Sequence, residues 1–140
     1  MSNKMKLTFS ALSENEAFAR TAVACFIMNL DPTVEEITDI KTAVSEAVTN
    51  CVVHGYPNGV GEIALECEIQ NRVIHIKISD YGVGIADLNK VLEPFYTSKP
   101  LEERAGMGFT IMRTFMDSFE IESSINLGTT VKMSKELKIA

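Results

Sequence analysis

The chain is poor in the residues on which several common chemistries depend. It has only three cysteines and two histidines in 140 residues. Cys25, Cys51 and Cys67 are odd in number, show no CxxC spacing and stand in apolar stretches. The expectation is three buried, reduced thiols rather than a disulfide framework or a metal site. His54 and His75 have no carboxylate or cysteine at ligand spacing, and no Ser-His-Asp or Cys-His arrangement can be assembled. Neither GxxxxGKS/T nor GxGxxG occurs, which argues against P-loop and Rossmann nucleotide binding. No apolar run reaches about 18 residues, and the N-terminus lacks the apolar core of a secretion signal, so the expected location is the cytoplasm, with no membrane contact. Positive charge is short as well: 13 Lys and Arg stand against 19 Asp and Glu, for a net charge of −6. That balance argues against non-specific nucleic-acid binding, which needs a basic surface, but leaves room for a local basic patch. Repeats, low-complexity tracts and linkers are also missing.

What is there suits one domain spanning residues 1–140. A chain of this length buries roughly two-thirds of its unfolded surface and needs no staples. Hydrophobic residues make up 46% and charged residues 23%, ordinary values for a globular domain.

Met5, Leu7 and Phe9 alternate with Lys4, Lys6 and Thr8, which predicts a first strand. Ser13-Glu14-Asn15-Glu16 has capping-box spacing. It predicts a helix to about Met28, with Phe18, Ala22, Cys25 and Phe26 on its buried stripe and Arg20 and Thr21 elsewhere. Asp31-Pro32-Thr33 ends that helix, and Thr33 with Glu36 starts another. The second helix runs to about Val53 on a stripe of Val34, Ile37, Val44, Val48 and Cys51. Gly55-Tyr56-Pro57-Asn58-Gly59 breaks it. Ile63 to Ile69 and Val73 to Ser79 alternate around a short gap, which predicts an antiparallel hairpin. A short helix is expected from Ala86 to Leu92, then a polar stretch without a period. Together they form a lid over about residues 86–105. Gly106-Met107-Gly108 opens a helix on Phe109, Met112, Phe115 and Met116. A last hairpin carries Phe119, Ile121, Val131 and Met133. This order implies an α+β fold, an α/β two-layer sandwich with helices on one face of a mixed, mostly antiparallel sheet.

Four constellations carry the chemistry. Asp80-x-Gly82-x-Gly84 sits at a strand end, where a carboxylate and a closely approachable backbone meet a ligand, although the same residues also make plain turns. Glu46 and Asn50 lie one helical turn apart on one ridge, beside the apolar stripe. A carboxylate and a carboxamide so placed can poise a hydroxyl and complete the oxygen shell of Mg²⁺; in isolation they are two surface polars. Gly106-Met107-Gly108 at a helix start suits phosphate oxygens, through free N–H groups and a partial positive charge, with Lys99 and Arg104 just before it. Gly128-Thr129-Thr130 places hydroxyls at the entry to the last strand.

In this order and spacing, over about residues 40–133, the chain resembles the GHKL ATPase superfamily, which includes gyrase and histidine kinase catalytic domains. Ala47 to Tyr56, Glu93 to Ser98 and Gly106 to Phe109 make it most similar to the small stand-alone serine kinases that act as anti-sigma factors. The resemblance implies the Bergerat ATP-binding fold, with ATP on the open sheet face beneath the lid. It implies Glu46 as the candidate general base and Asn50 as the Mg²⁺ ligand. Asp80 would read the adenine amino group with Thr130 nearby, and Gly82 and Gly84 would shape the adenine pocket. Gly106, Met107 and Gly108 would face the phosphates, and Thr97, Ser98 and Lys99 would belong to the lid. It further implies a sigma factor partner, a serine-bearing anti-anti-sigma substrate and a homodimer, with ATP or ADP as the bound nucleotide. Arg20, a long cation away from the nucleotide residues, is a candidate partner contact. An ATP hydrolase and a histidine-kinase-type module remain as alternatives; the latter is disfavoured because no separate phospho-accepting helical segment is present.

Overall fold

A computed structural model of the chain describes residues 2–88 and 108–139. Strand β1 (Asn3–Ser10) leads to helix α1 (Asn15–Phe26), a 3₁₀ turn at Met28–Leu30 and helix α2 (Val34–Asn50). Helix α2 widens into a π-turn at Cys51–Gly55. Strands β2 (Glu62–Gln70) and β3 (Val73–Asp80) follow, then helix α3 (Gly108–Phe115) and strands β4 (Ser118–Ser124) and β5 (Gly128–Glu136). The sheet order is β1-β2-β3-β5-β4, and every pairing among the described strands is antiparallel.

Period-two alternation decides the two faces of this sheet. Ile63, Leu65, Cys67, Ile74, Ile76, Ile78, Val131 and Met133 point to one side and join Val23, Ile27, Ile40, Val44, Val48 and Met112 of the helices in one core. Each fully buried aliphatic side chain of this kind contributes about 1.5–3 kcal/mol. The opposite face carries ion pairs across neighbouring strands, Lys4 with Glu68, Lys77 with Glu66 and Lys132 with Glu122. These are solvent-screened and worth at most about 1 kcal/mol each.

Helix α2 begins as expected. The Thr33 hydroxyl accepts from Glu36 N at 3.1 Å, and the Glu36 carboxylate accepts from Thr33 N at 2.9 Å. Its second oxygen accepts from Lys138 N at 2.8 Å. Arg72 donates to the carbonyls of Leu30, Leu137 and Lys138. The C-terminal residues are thereby tied to the link between α1 and α2.

Helix α1 departs from its expected phase. Ala19, Val23 and Ile27 are its buried residues, whereas Phe18 and Cys25 are exposed. Apolar residues occur all round this helix, so spacing does not select a face; the compact aliphatic stripe takes the core. Cys25 is therefore not a buried thiol, while Cys51 and Cys67 are. Burial pushes the Cys67 thiol up to about 12. The Ser13-to-Glu16 capping box does not form, and the helix N-cap, Glu14, makes no side-chain cap bond. Glu16 reaches forward one turn instead and accepts from the Arg20 guanidinium at 2.5 and 2.7 Å.

Candidate functional site

The site is built where the end of α2 meets the end of β3. Asp80 shares the alternation of Ile76 and Ile78, and it pairs across the sheet with Ile63 on one side and Thr129 on the other. It therefore faces the helices, and 95% of its surface is hidden, since only 5% is exposed. The expectation of a site on the open sheet face is corrected by this register. That face presents Lys4, Lys77 and Lys132 around a shallow groove, and Asp80 is not among its lining residues.

The Asp80 carboxylate lies in a fitted seat. Oδ1 accepts from Gly82 N at 3.0 Å. Thr129 is the Asp80 partner across the strand pair, and Cys51 lies beside the carboxylate. Gly55 packs against it so closely that a Cβ there would lie 2.7 Å from Cγ. Burial raises the Asp80 carboxyl above its ordinary value, against the hydrogen bonds from Gly82, Cys51 and Thr129, which pull it down. Burial likewise pushes the Cys51 thiol far up, aided by the Asp80 charge. Cys51 is thus a thiol, and a donor, at neutral pH.

The π-turn creates this seat. Its wide ring closes from Tyr56 N to the Cys51 carbonyl at 3.1 Å. The turn then aims the Tyr56 hydroxyl at two backbones: it donates to Glu62 O at 2.6 Å and accepts from Tyr81 N at 2.7 Å. Val83 N donates to the Gly55 carbonyl at 3.0 Å. A Cβ on Gly82 would stand 1.8 Å from that carbonyl oxygen, so only glycine lets the two backbones meet. Gly84 adopts φ +74°, where a side chain is strained, and it turns the chain against Ser124. π-turns of this kind recur at functional sites.

Glu46 and Asn50 lie on the buried side of α2 rather than on a solvated ridge. Glu46 is 7% exposed. Asn50 is half-buried, and its Nδ2 is buried without a hydrogen-bond partner among the described residues. An orphaned amide of this kind fits a residue whose partner arrives with a ligand; a half-turn of the carboxamide presents its oxygen instead. Among the described residues no three His, Cys, Asp or Glu side chains cluster to hold a metal. Mg²⁺ at nucleotides is usually held by one or two protein oxygens with ligand oxygens completing its shell, and the Asn50 carboxamide is a donor of that type. The residues present fit an adenine nucleotide with Mg²⁺.

Thr130 is not brought to Asp80. It points to the open face, where its hydroxyl lies 3.0 Å from Ser79 Oγ. Thr129, one residue earlier, faces Asp80's side, and its hydroxyl lies 2.7 Å from Ser123 Oγ. Arg20 is far along α1 in sequence and is held by Glu16. Thr97, Ser98, Lys99, Arg104, Gly106 and Met107 lie outside the described residues, as does the lid from residue 89 onward. Gly108 opens α3 and is buried. The sequence pattern assigns no site role to Cys51, Gly55 or Tyr56, and Gly128-Thr129-Thr130 puts forward both threonines without choosing between them. The first three stand directly after Asn50, but helical spacing does not announce a π-turn. The parity of Asp80 against β5 was the missing signal for Thr129.

Comparison with known proteins identifies the family and the fold. The family model of the histidine kinase-like ATPase domain matches residues 9–135, and the chain belongs to that family. Its curated relatives include the anti-sigma F factor of Thermoanaerobacter sp. (strain X514), 55% identical over 133 residues that cover 95% of this chain and 93% of the relative. The anti-sigma F factor of Clostridium botulinum (strain Eklund 17B / Type B) is 56% identical over 138 residues, 98% of this chain and 96% of the relative. Among solved structures, the RsbU and RsbW domains of a Mycobacterium tuberculosis protein superpose with a TM-score of 0.69 at 18% identity, covering 96% of this chain and 32% of that one. The catalytic domain of histidine kinase ThkA superposes with a TM-score of 0.58 at 17% identity, covering 95% and 97%. At these identities the two structures bear on the fold alone. No described helix is long and apolar enough to cross a membrane.

Proposed function

We propose that this chain is an ATP-dependent protein serine kinase and anti-sigma factor of the cytoplasm. In this reading it binds and inhibits a sporulation sigma factor and phosphorylates a serine of an anti-anti-sigma antagonist, working as a homodimer. One observation carries the nucleotide part: a buried carboxylate, Asp80, seated at a strand end by Gly82 and the π-turn, beside a helix that carries Glu46 and the unpartnered Asn50. The partner part rests on the relatives, which are anti-sigma F factors along nearly their whole length.

Each residue has a distinct duty in this scheme. Asp80 accepts the adenine 6-amino group, and Gly82 and Gly84 give the base room. Asn50 holds Mg²⁺, which when bound supplies charge neutralisation at the phosphates. Glu46 accepts the proton of the attacking serine hydroxyl. Gly106, Met107 and Gly108 present backbone N–H groups at the phosphates, and Lys99 and Arg104 add positive charge there. Thr97 and Ser98 belong to the lid that covers them. Phosphoryl transfer asks mainly for such positioning and charge stabilisation. Arg20 offers a partner contact, with Glu16 fixing its guanidinium for the encounter.

The test is transfer itself. The protein is incubated with γ-labelled ATP, Mg²⁺ and the candidate antagonist, and the label is located. Phosphoserine on the antagonist is the expected product. Free phosphate with an unlabelled antagonist would replace the kinase with a hydrolase.

A further inference from the structure

The ladder between β2 and β3 stops one pair early. Glu62 still pairs with Ser10 of β1, yet the last β2–β3 pair is Ile63 with Asp80. By register the next pair would be Glu62 with Tyr81. A direct ladder bond from Tyr81 N to Glu62 O would measure about 2.9 Å. The Tyr56 hydroxyl stands in its place: it accepts from Tyr81 N at 2.7 Å and donates to Glu62 O at 2.6 Å. A hydroxyl donates one proton and accepts on its lone pairs, so both backbone groups are satisfied through it. The strands are thereby held one hydroxyl apart at the point where Asp80 ends β3.

The ring that carries this hydroxyl is buried. It lies over Gly61, where a Cβ would stand 2.3 Å from the ring edge. A tyrosine has only two side-chain torsions, and this one is rooted in the π-turn by the bond from Tyr56 N to the Cys51 carbonyl. Beyond Asp80, three successive amides each have their own acceptor. Tyr81 N meets the Tyr56 hydroxyl, Gly82 N meets Asp80 Oδ1, and Val83 N meets the Gly55 carbonyl. Without the hydroxyl, Tyr81 N and Glu62 O either lose their partner or close on each other. Both outcomes move the Asp80–Tyr81 peptide, and the carboxylate is carried on that peptide.

We propose that Tyr56 is a positioning residue for the nucleotide site: its hydroxyl, set between Tyr81 N and Glu62 O, holds the end of β3 where the Asp80 carboxylate meets the adenine 6-amino group. This rests on the reading of Asp80 as the adenine reader. Tyr56 acts through the Asp80–Tyr81 peptide, so its loss is felt most by ligands that carry the amino group. A hydroxyl that served the fold alone would affect every nucleotide alike.

The experiment compares ATP with purine riboside 5′-triphosphate, which lacks the 6-amino group, in calorimetric binding to the full chain with Mg²⁺. Wild type is expected to prefer ATP. Tyr56→Phe keeps the ring over Gly61 and removes only the hydroxyl. Its preference for ATP is expected to fall about three- to tenfold, the range of one hydrogen bond made or missed. Tyr56→Met, a flexible side chain that also lacks the hydroxyl, replaces Tyr56→Phe where the latter does not fold. In wild type, hydrogen exchange at the Tyr81 amide is expected to be as slow as at the ladder amides of β3. Equal weakening toward both ligands, an unchanged preference, or a Tyr81 amide that exchanges as an exposed loop does would overturn the proposal. A wild-type protein that binds both ligands equally would overturn the Asp80 reading itself, and the Tyr56 role with it.

Discussion

Replacing Gly55 with alanine puts a methyl group where the Asp80 carboxylate lies. The new Cβ would stand 2.7 Å from Cγ and Oδ2 and 3.0 Å from Oδ1, whereas ordinary contact begins at 3.4 Å. The two groups must separate by about 0.7 Å, and neither side yields freely. Gly55 is held by the bond from Val83 N to its carbonyl, and Asp80 by the bond from Gly82 N to Oδ1, both 3.0 Å. A shift of that size directed away from Gly82 takes the latter bond out of range. Overpacking of this kind costs about 1–3 kcal/mol of stability. Losing a hydrogen bond to a charged group costs about 1.5–3 kcal/mol, or roughly 10- to 150-fold in nucleotide affinity if the misplaced carboxylate no longer meets the base. Calorimetric titration with ATP and Mg²⁺, paired with thermal unfolding, measures both. A Gly55→Ala protein that melts lower yet binds ATP as wild type does would show that Asp80 does not read the base. An unchanged melting temperature and an unchanged affinity together would refute the seat.

Further outcomes follow from the same geometry. Asp80→Asn abolishes ATP binding without lowering the melting temperature, because burial already disfavours the ionised carboxyl; a lowered melting temperature with binding intact would reverse that assignment. Glu46→Gln retains nucleotide binding and loses phosphotransfer to the antagonist; loss of binding equal to that of Asp80→Asn would remove Glu46 from the role of base. Thr33→Ala opens the α2 capping box and costs about 1 kcal/mol in denaturant unfolding, with no loss if the box is dispensable. Burial raises the Glu36 carboxyl, but hydrogen bonds from Thr33 and Lys138 and the Lys135 charge outweigh it and hold it below its ordinary 4.5. A depressed carboxyl stabilises the fold above that ordinary value, and the contribution fades as the pH falls through the lower folded one. The melting-temperature gap between wild type and Glu36→Gln should therefore narrow on going from about pH 7 to pH 3, and a gap independent of pH would contradict it.

Much of the architecture is legible in local pattern. Alternation in Ile63–Ile69 and Ile74–Ile78 specifies strands and their buried side, and Thr33 with Glu36 specifies where α2 starts, because these signals involve residues a few positions apart. The order of Glu46, Asn50, Asp80, Gly82 and Gly84 is also readable in the sequence and carries the resemblance to the GHKL ATPase superfamily. Local pattern failed in α1, where two overlapping apolar stripes compete and only packing into the shared core chose Val23 and Ile27 over Phe18 and Cys25.

The sequence by itself therefore determined the elements, the carboxylate that ends β3 and the polar pair on α2. Tertiary structure alone decided which residues of the neighbouring strands and helix stand beside these groups. Strand register carries Asp80 to the helix side with Thr129 and leaves Thr130 on the other, and a shift of one residue would exchange them. Tertiary structure also built the Asp80 seat from Cys51, Gly55 and Tyr56, 24 to 29 positions away along the chain. A π-turn has no period of its own to read. Its worth lies in contacts made after the helix end and the strand end have docked.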